Sequence, residues 1–199
     1  MAFIRTVPVD QAEGKVQEIY QADIKSKGYV ANHTSVFSLR PEVYEAWKNL
    51  ISAIRSPMRL RRFELVTLAA AQALECTYCM LAHGAVLRKN FFGPKDLAAI
   101  ARDFHNAGLP PEEVALMEFA QKVARRASQI SPDDIDTLRG LGLSDTEILD
   151  VVLAVTARSF MSKTLDALGA EPDSALMDLE PALRTALAIG RPFPALARG

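Results

Sequence analysis

The chain of 199 residues has few cysteines and no excess of charge of either sign. It contains 2 cysteines, and its 23 basic and 24 acidic side chains give a formal net charge of −1. A nucleic-acid-binding protein neutralises phosphates with a basic surface, and this balance offers none. Disorder is also excluded, because the 49% of residues that are hydrophobic can bury enough apolar surface to offset the ordering entropy.

The sequence also lacks a secretory signal and a convincing membrane segment. The opening residues, MAFIRTVPVD, contain neither an apolar stretch nor a small-residue cleavage site, so we predict a cytoplasmic protein. Residues 65–87 are the least charged segment and are interrupted only by Glu75 and His83. That length suits a membrane span, but its polar side chains would be costly in lipid. We therefore expect no membrane partner, and a helix buried in a core or at a subunit interface.

Signals of β structure are missing, and helix signals replace them. Alanine and leucine dominate, β-branched residues do not alternate, and no Asn-Gly or Asp-Gly hairpin turn occurs. Ser144 to Glu147 forms a capping box, in which each side chain satisfies a backbone N–H at a helix start. Proline in the first helical turn marks further starts, at Arg40-Pro41, Ser56-Pro57, Gly93-Pro94, Pro110-Pro111 and Ser131-Pro132. These patterns predict an all-α protein of nine or ten helices.

An internal repeat suggests how the helices are organised. A shift of 83 residues aligns the apolar run 65–71 with 148–154 and places Ser159, Ser162 and Asp166 under Cys76, Cys79 and His83. The repeat predicts one domain, residues 1–170, with two related helix-pair halves at about 30–105 and 110–170. In this interpretation the second half is a structural partner without its own active site. Chance similarity between two Ala/Leu-rich helices is the alternative.

Residues 171–199 form an extension with a thinner apolar pattern and four prolines. Two interpretations remain open for it. It is either a strap that packs on a neighbouring subunit or a frayed terminus.

Both cysteines lie in one short stretch, Cys76-Thr77-Tyr78-Cys79, four residues before His83. In a cytosolic protein, this C-x-x-C spacing indicates redox chemistry or a metal site, and inert buried thiols are the third alternative. Zinc would need four ligands, and no second cysteine pair or histidine pair supplies them, so we predict no metal. On a helix Cys79 and His83 lie about 60° and 20° from Cys76 around the axis. The three side chains therefore share one face.

Glu64 lies on an otherwise apolar stripe upstream of the pair, where a solvated role is least expected. An ordinary thiol has a pKa of about 8.5, whereas the thiolate is the nucleophile. A helix N-terminus and an imidazole that takes the thiol proton both favour the thiolate. Glu64 is the available group to orient that imidazole. Attack on a peroxide gives a sulfenic acid, the second cysteine condenses with it to a disulfide, and an external dithiol reduces the disulfide.

The pattern Glu64-x11-Cys76-x2-Cys79-x3-His83 resembles the proton-relay signature of the AhpD-like alkylhydroperoxidases of the carboxymuconolactone decarboxylase superfamily. Residues 131–169 resemble the second half of its peroxidase-related branch. The resemblance implies an AhpD-like all-α fold with a helix that begins at the cysteine pair, and assembly as a trimer or hexamer. It also implies reduction of hydrogen peroxide or organic hydroperoxides by a redox-active Cys76–Cys79 disulfide without another cofactor.

By the same resemblance, Cys79 is the peroxidatic thiol, Cys76 is the resolving thiol, and Glu64 and His83 form a relay through a bound water. The external reductant is a dithiol or a lipoylated protein. Tyr78 stands where the founding enzymes carry a histidine. A phenol is too weak a base at neutral pH to replace imidazole, but it donates hydrogen bonds, so we predict that Tyr78 binds the peroxide. Ser162-Lys163 likewise replaces the Asn-Arg usual in this branch.

Three other functions remain open for this sequence. They are a cofactor-free lyase acting on a lactone, a protein disulfide reductase or redox sensor, and a non-catalytic binding protein. His33 and His105 lie among polar or loop-like residues, and we assign them no chemistry. An aromatic set with near-helical spacing is predicted to belong to the core, or to line an apolar approach for a hydroperoxide: Phe37, Tyr44 and Trp47.

Overall fold

The structure is a computed structural model that describes residues 2–192, and it contains only helices and their connections over that range. Its α-helices are α1 (Gly14–Lys27), α2 (Asn32–Val36), α3 (Pro41–Arg55), α4 (Leu60–Ala73), α5 (Thr77–Asn90), α6 (Pro94–Asp103), α7 (Pro111–Arg126), α8 (Pro132–Gly140), α9 (Asp145–Ala167) and α10 (Pro181–Leu187). Short 3₁₀ helices cover Val9–Gln11, Phe37–Leu39, Phe104–Asn106, Ala127–Gln129 and Ser174–Asp178. The prediction of an all-α protein with nine or ten helices is confirmed.

Most of the predicted helix starts are also confirmed. Proline occupies the first turn of α3, α6, α7 and α8, where its missing N–H leaves no helix hydrogen bond unmade. The Ser144 capping box begins α9, and Ser131 forms a second box with Asp134 at α8. The start predicted at Ser56-Pro57 is wrong. Ser56 still donates to the carbonyl of Ser52 and so completes the last turn of α3.

Helix α4 lies at the centre of the molecule and packs against α5, α7 and α9. Ten of its 14 residues are buried, including the carboxylate-bearing Glu64. The apolar segment at 65–87 lies in the core, as predicted, but it forms parts of two helices where the prediction had one. In the part of the chain that the structure describes, no helix is both long and apolar enough to cross a membrane.

A tight turn separates α4 from α5. Glu75 adopts a left-handed conformation with φ of 56°, and Cys76 N donates back to the carbonyl of Ala71. This arrangement satisfies carbonyls at the end of α4 and makes Cys76 the N-cap of α5. The 83-residue shift pairs this turn with residues 157–159, where α9 continues without interruption. The repeat predicts a helix pair in the second half, but the structure has one continuous helix at these positions.

The C-terminal extension packs on the body of its own protomer over residues 171–192. Helix α10 contacts α5 and α6 and buries Leu183 and Leu187 almost completely. Gly84 allows the closest approach, because a Cβ there would lie 2.5 Å from Leu187 Cδ1. Beyond α10, Gly190 N donates to Thr77 Oγ1 at 2.9 Å. Residues 193–199 of the predicted extension lie outside the described range, and its role as a subunit strap stays a prediction.

This packing gives a stability prediction. Leu187→Ala should lower the free energy of unfolding by about 2–5 kcal/mol, because it leaves a cavity over α5. Val9→Ala, at a side chain that is 56% exposed, should change it by less than about 0.5 kcal/mol. Urea denaturation followed by circular dichroism measures both values. Equal, small losses in the two variants would contradict the packing of α10.

Candidate active site

A cavity of about 280 Å³ lies beside the first turn of α5. Its wall contains four of the five residues that the sequence predicts, namely Glu64, Tyr78, Cys79 and His83. Cys76, the fifth, is fully buried and lies outside the wall. The polar lining is completed by residues from four other parts of the sequence: Lys27, His33, Arg158 and Asp173. Within residues 2–192, no group of three or more His, Cys, Asp and Glu side chains has a metal-binding arrangement.

The two cysteines are free thiols at the start of α5. Cys76 is the N-cap, and its carbonyl accepts the helix hydrogen bond from Met80 N at 3.0 Å. Cys79 is 1% exposed and lies within the first turn, where unpaired backbone N–H groups favour a negative charge. The helix start at the cysteine pair, which the family resemblance implied, is confirmed.

The surroundings of the pair favour ionisation of Cys79 over Cys76. A hydrogen bond from the Cys76 thiol lowers the pKa of Cys79 well below its ordinary value, against the opposing effect of burial. The Arg158 charge, the Ser162 hydroxyl and His83 lower the Cys79 pKa further. The same hydrogen bond, together with burial, raises the pKa of Cys76. These surroundings therefore favour a thiolate at Cys79 and a protonated thiol at Cys76.

Arg158 is the cation closest to this thiolate. Its Nη1 lies 3.4 Å from Cys79 Sγ, and the residue is 7% exposed. Sequence reasoning missed Arg158, although a signal was present. It occupies the buried stripe of α9 together with Val151, Val155 and Ser162. Like Glu64 on α4, Arg158 is a charged residue on an otherwise apolar helix stripe.

Glu64 and His83 form a buried pair across α4 and α5. Glu64 Oε2 lies 2.6 Å from His83 Nδ1, and Thr67 Oγ1 lies 3.1 Å from the same nitrogen. Arg61, a basic residue on the same helix as Glu64, pairs with Glu113. Since Glu64 engages Nδ1, Nε2 is the ring nitrogen left for a ligand in the cavity that His83 lines. This is the geometry of an imidazole oriented by a carboxylate.

The Tyr78 hydroxyl belongs to a network that the sequence did not indicate. It donates to Asp173 Oδ2 at 2.5 Å and lies 2.9 Å from His33 Nδ1. Asp173 also accepts from Asn32 N at 2.7 Å. Because the single hydroxyl proton goes to Asp173, a hydrogen bond from Tyr78 to a peroxide would have to replace this contact. The predicted role of Tyr78 in substrate binding stays a prediction.

His33, to which the sequence gave no role, lies in the cavity wall. Burial lowers its pKa to about 4, and the charge of Lys27 acts in the same direction. His33 is therefore neutral at pH 7. His105, by contrast, lies at the surface, where it contacts Asp103 and Glu118.

Asp166 is an acidic neighbour of Cys76. This half-buried carboxyl lies on α9, and burial raises its pKa to about 6, although a hydrogen bond from Cys76 opposes the shift. Arg191 Nη2 donates to the main-chain oxygen of the same residue at 2.9 Å. The two sulfurs thus face opposite charges, a guanidinium at Cys79 and a carboxylate at Cys76.

The aromatic residues predicted for the core divide between two roles. Phe37 and Tyr44 are buried and stack with ring centroids 5.4 Å apart. Trp47 is partly buried and lines the cavity, with its ring 5.9 Å from the Arg158 guanidinium. Trp47 therefore forms part of the apolar wall of the cavity.

The different pKa values of the two thiols give a prediction about alkylation. Iodoacetamide reacts with thiolates, so the first alkylation of the reduced protein should fall on Cys79. A lowered pKa keeps the thiolate populated as the pH falls, and the rate should therefore stay nearly constant from about pH 8 down to about pH 6. Peptide mass spectrometry identifies the site, with Cys79→Ser as control. Preferential labelling of Cys76, or a titration midpoint near the ordinary thiol value of about 8.5, would contradict the assignment.

The protein is similar to known proteins in both sequence and structure. Residues 41–122 match the model of the carboxymuconolactone decarboxylase family, a range that includes Glu64, both cysteines and His83. No curated protein matches the sequence. One similar solved structure is the alkylhydroperoxidase AhpD core, an uncharacterized peroxidase-related protein from Ralstonia eutropha JMP134. It has a TM-score of 0.80 and 21% identity, over 88% of this chain and 94% of that chain.

Two further structures share the fold. An uncharacterized peroxidase-related protein from Silicibacter sp. TM1040 has a TM-score of 0.78 and 19% identity, over 89% of this chain and 94% of that chain. The debrominase Bmp8, in complex with 2,3,4-tribromopyrrole, has a TM-score of 0.66 and 13% identity, over 87% of this chain and 89% of that chain. The resemblance read from the Glu64, Cys76, Cys79 and His83 spacing is confirmed: residues 41–122 match the model of the carboxymuconolactone decarboxylase family, and the protein has the AhpD-like fold.

Proposed function

We propose that the protein is a thiol-dependent peroxidase that reduces hydrogen peroxide or organic hydroperoxides through Cys79 and Cys76. The observation that carries the proposal is the position of Cys79. Its ionised sulfur meets a small cavity whose wall also holds the Glu64–His83 pair. A nucleophile, a proton relay and space for a small substrate occur together.

In the first step the Cys79 thiolate attacks one peroxide oxygen. An S–O bond forms, the O–O bond breaks, and Cys79 becomes a sulfenic acid. The released alkoxide, or hydroxide when the substrate is hydrogen peroxide, takes a proton delivered by His83 through a water. Glu64 holds the His83 ring during this transfer through its contact with Nδ1, and it stabilises the charged imidazole.

In the second step the Cys76 sulfur attacks the Cys79 sulfenic acid. The S–S bond forms, and the hydroxyl leaves as water with the proton of the Cys76 thiol. Because the pKa of Cys76 is raised, this step needs a base, and the neighbouring Asp166 carboxylate fits that role. An external dithiol or a lipoylated protein then supplies two electrons and reduces the Cys76–Cys79 disulfide. We place the cycle in the cytoplasm, where such reductants keep thiols reduced.

The cavity wall suits a small substrate with an apolar body. At about 280 Å³ it is close to the smallest ligand pockets of proteins. Trp47, Val86, Met161 and Leu165 provide apolar contacts around Cys79. Tyr78 lies in the same wall, and we include its ring among the substrate contacts.

The test is peroxide-dependent oxidation of a dithiol. Cys79→Ser should abolish the activity, and Glu64→Gln should lower kcat about 10- to 100-fold because His83 loses its orienting carboxylate. His105→Gln, at a surface histidine remote from the cavity, serves as the matched control and should retain full activity. Equal rates for wild type and Cys79→Ser would overturn the proposal.

A cofactor-free lyase is the second candidate, and one observation favours it. Arg158 is a buried cation in the cavity wall with no carboxylate partner among residues 2–192, so it could bind a carboxylate-bearing lactone. Lyase chemistry needs neither thiol. Turnover of such a lactone by the Cys76→Ser/Cys79→Ser variant would identify the lyase. A reductase or redox sensor would instead show disulfide exchange without peroxide consumption.

We further propose that the protein assembles as a homo-oligomer, a trimer or hexamer. The support is an apolar surface on α9 and α3. Leu149, Leu153 and Phe160 are 55%, 36% and 42% exposed along one side of α9, and Leu50 is 51% exposed on α3. Exposed apolar patches of this kind commonly mark protein interfaces.

Light scattering after size-exclusion chromatography tests the assembly. The wild type should elute at three or six times the mass of one protomer, 21.8 kDa. Leu149→Glu/Phe160→Glu should shift it toward the monomer, because the charges would have to be buried at the interface. Val9→Glu, at a similarly exposed residue elsewhere, should not. A monomeric wild type would contradict the proposal.

A further inference from the structure

Arg158 has the environment of a buried charge that depends on one counter-ion. The residue is 7% exposed, and its Nε has no hydrogen-bond partner in the described part of the protein. Its Nη1 contact with Cys79 Sγ, at 3.4 Å, is the hydrogen bond that it makes within residues 2–192. A buried guanidinium without an anion is strongly unfavourable. The Cys79 thiolate is the anion that the structure provides.

Oxidation of the pair removes this anion. In a Cys76–Cys79 disulfide neither sulfur carries charge, so Arg158 would remain buried without a counter-ion. The Ser162 hydroxyl, fully buried and one of the groups that lower the Cys79 pKa, would lose the same charge. The reduced state therefore gains an electrostatic stabilisation that the oxidised state lacks. A thiol–disulfide couple whose reduced form is selectively stabilised has a raised reduction potential, and it is therefore a stronger oxidant.

We propose that Arg158 makes the Cys76–Cys79 pair an oxidising couple, whose disulfide is readily reduced even by a weak thiol reductant. This inference rests on the proposed function for its physiological meaning and names the class of its electron donor. A monothiol of the glutathione type suffices, and a strongly reducing dithiol is not required. Arg158 touches the reacting sulfur and is a catalytic residue in this sense.

The chemistry is two-electron thiol–disulfide exchange. When the reduced pair meets glutathione disulfide, the Cys79 thiolate attacks one sulfur, and one glutathione thiolate leaves. The Cys76 sulfur then attacks Cys79 in the mixed disulfide, and the second glutathione leaves. The Cys76 proton passes to solvent through Asp166, and the two electrons pass to glutathione. Reduction of the disulfide by two glutathione molecules is the reverse sequence.

The other charged and polar groups near Cys79 either have partners of their own or act in the opposite direction. His83 on α5 already has the Glu64 carboxylate as its partner, and Tyr78 donates to Asp173. Asp166 acts in the opposite sense, because its carboxylate disfavours a second anion at the pair. Among the groups that interact with Cys79, Arg158 is the cation without a carboxylate partner in the described residues.

The experiment measures the equilibrium constant of the pair with a glutathione redox buffer at neutral pH. Arg158→Met should shift it at least tenfold toward the protein disulfide, equivalent to about 30 mV. Arg158→Lys, which keeps the charge, should stay within about threefold of wild type. Arg62→Met is the control, because Arg62 is a partly buried guanidinium whose partners are the carboxylates of Glu112 and Glu147. In this control variant the equilibrium constant of the cysteine pair should not change.

Arg158→Gln serves as the neutral variant if Arg158→Met does not fold, as judged by circular dichroism. An unchanged equilibrium constant in whichever neutral variant folds would overturn the proposal. A second readout is the thermal midpoint of each redox form. Oxidation should lower the wild-type midpoint more than that of the neutral variant, and equal differences would also overturn it. Neither measurement involves peroxide. Both therefore test the role of Arg158 even if the protein fails the peroxidase assay.

Discussion

The left-handed turn at Glu75 is the constraint on which the rest of the site depends. It ends α4 and allows Cys76 to begin α5, and both thiols then lie at a helix N-terminus. Had α4 continued, as α9 does at the equivalent positions, the cysteines would lie in mid-helix without free N–H groups nearby. The turn also brings α5 back against α4, which is what places His83 beside Glu64. A single non-glycine residue in a left-handed conformation thus precedes the helix start that holds both thiols and the helix that carries His83.

The charges in the interior are arranged as separate, locally balanced pairs. Glu64 contacts His83, Asp173 accepts a hydrogen bond from the Tyr78 hydroxyl, and Arg158 contacts Cys79. Each buried group would be costly alone, and each has at least one partner within hydrogen-bond distance. Of these pairs, the one with Cys79 differs in kind. Its acceptor is a sulfur that an oxidation to a disulfide would leave uncharged, whereas the carboxylates are not altered by such an oxidation.

Much of this architecture could be predicted from the sequence, for identifiable reasons. Prolines and capping boxes act locally, so they indicated the starts of α3, α6, α7, α8 and α9. The position of Glu64 and His83 followed from helical spacing and from the absence of any other use for a carboxylate on an apolar stripe. The four-residue spacing also indicated the AhpD-like fold, because the Glu64, Cys76, Cys79 and His83 spacing resembles a signature of proteins with that fold.

Other features could not be obtained from local sequence. No glycine or proline marks the break at Glu75, and its carbonyl lies so close to Gly190, 115 positions later in the sequence, that a Cβ at position 190 would clash with it. His33 and Asp173 meet Tyr78 from 45 and 95 residues away. Such contacts depend on how helices cross. The Ser56-Pro57 error has a local cause, because Ser56 still bonds within α3 and the proline falls in the connecting turn.

The order of the elements along the polypeptide has a consequence for synthesis. Thr77, beside the cysteine pair, receives its hydrogen bond from Gly190, which lies 113 residues further along. At ordinary ribosomal rates of about 5–20 residues per second, translation of that interval takes roughly 6–23 s. Throughout that time Cys76 and Cys79 exist in a nascent polypeptide without the segment that later packs on Thr77 and α5. This contact beside the cysteine pair therefore forms only after both thiols have been synthesised, in whichever oxidation state they have then reached.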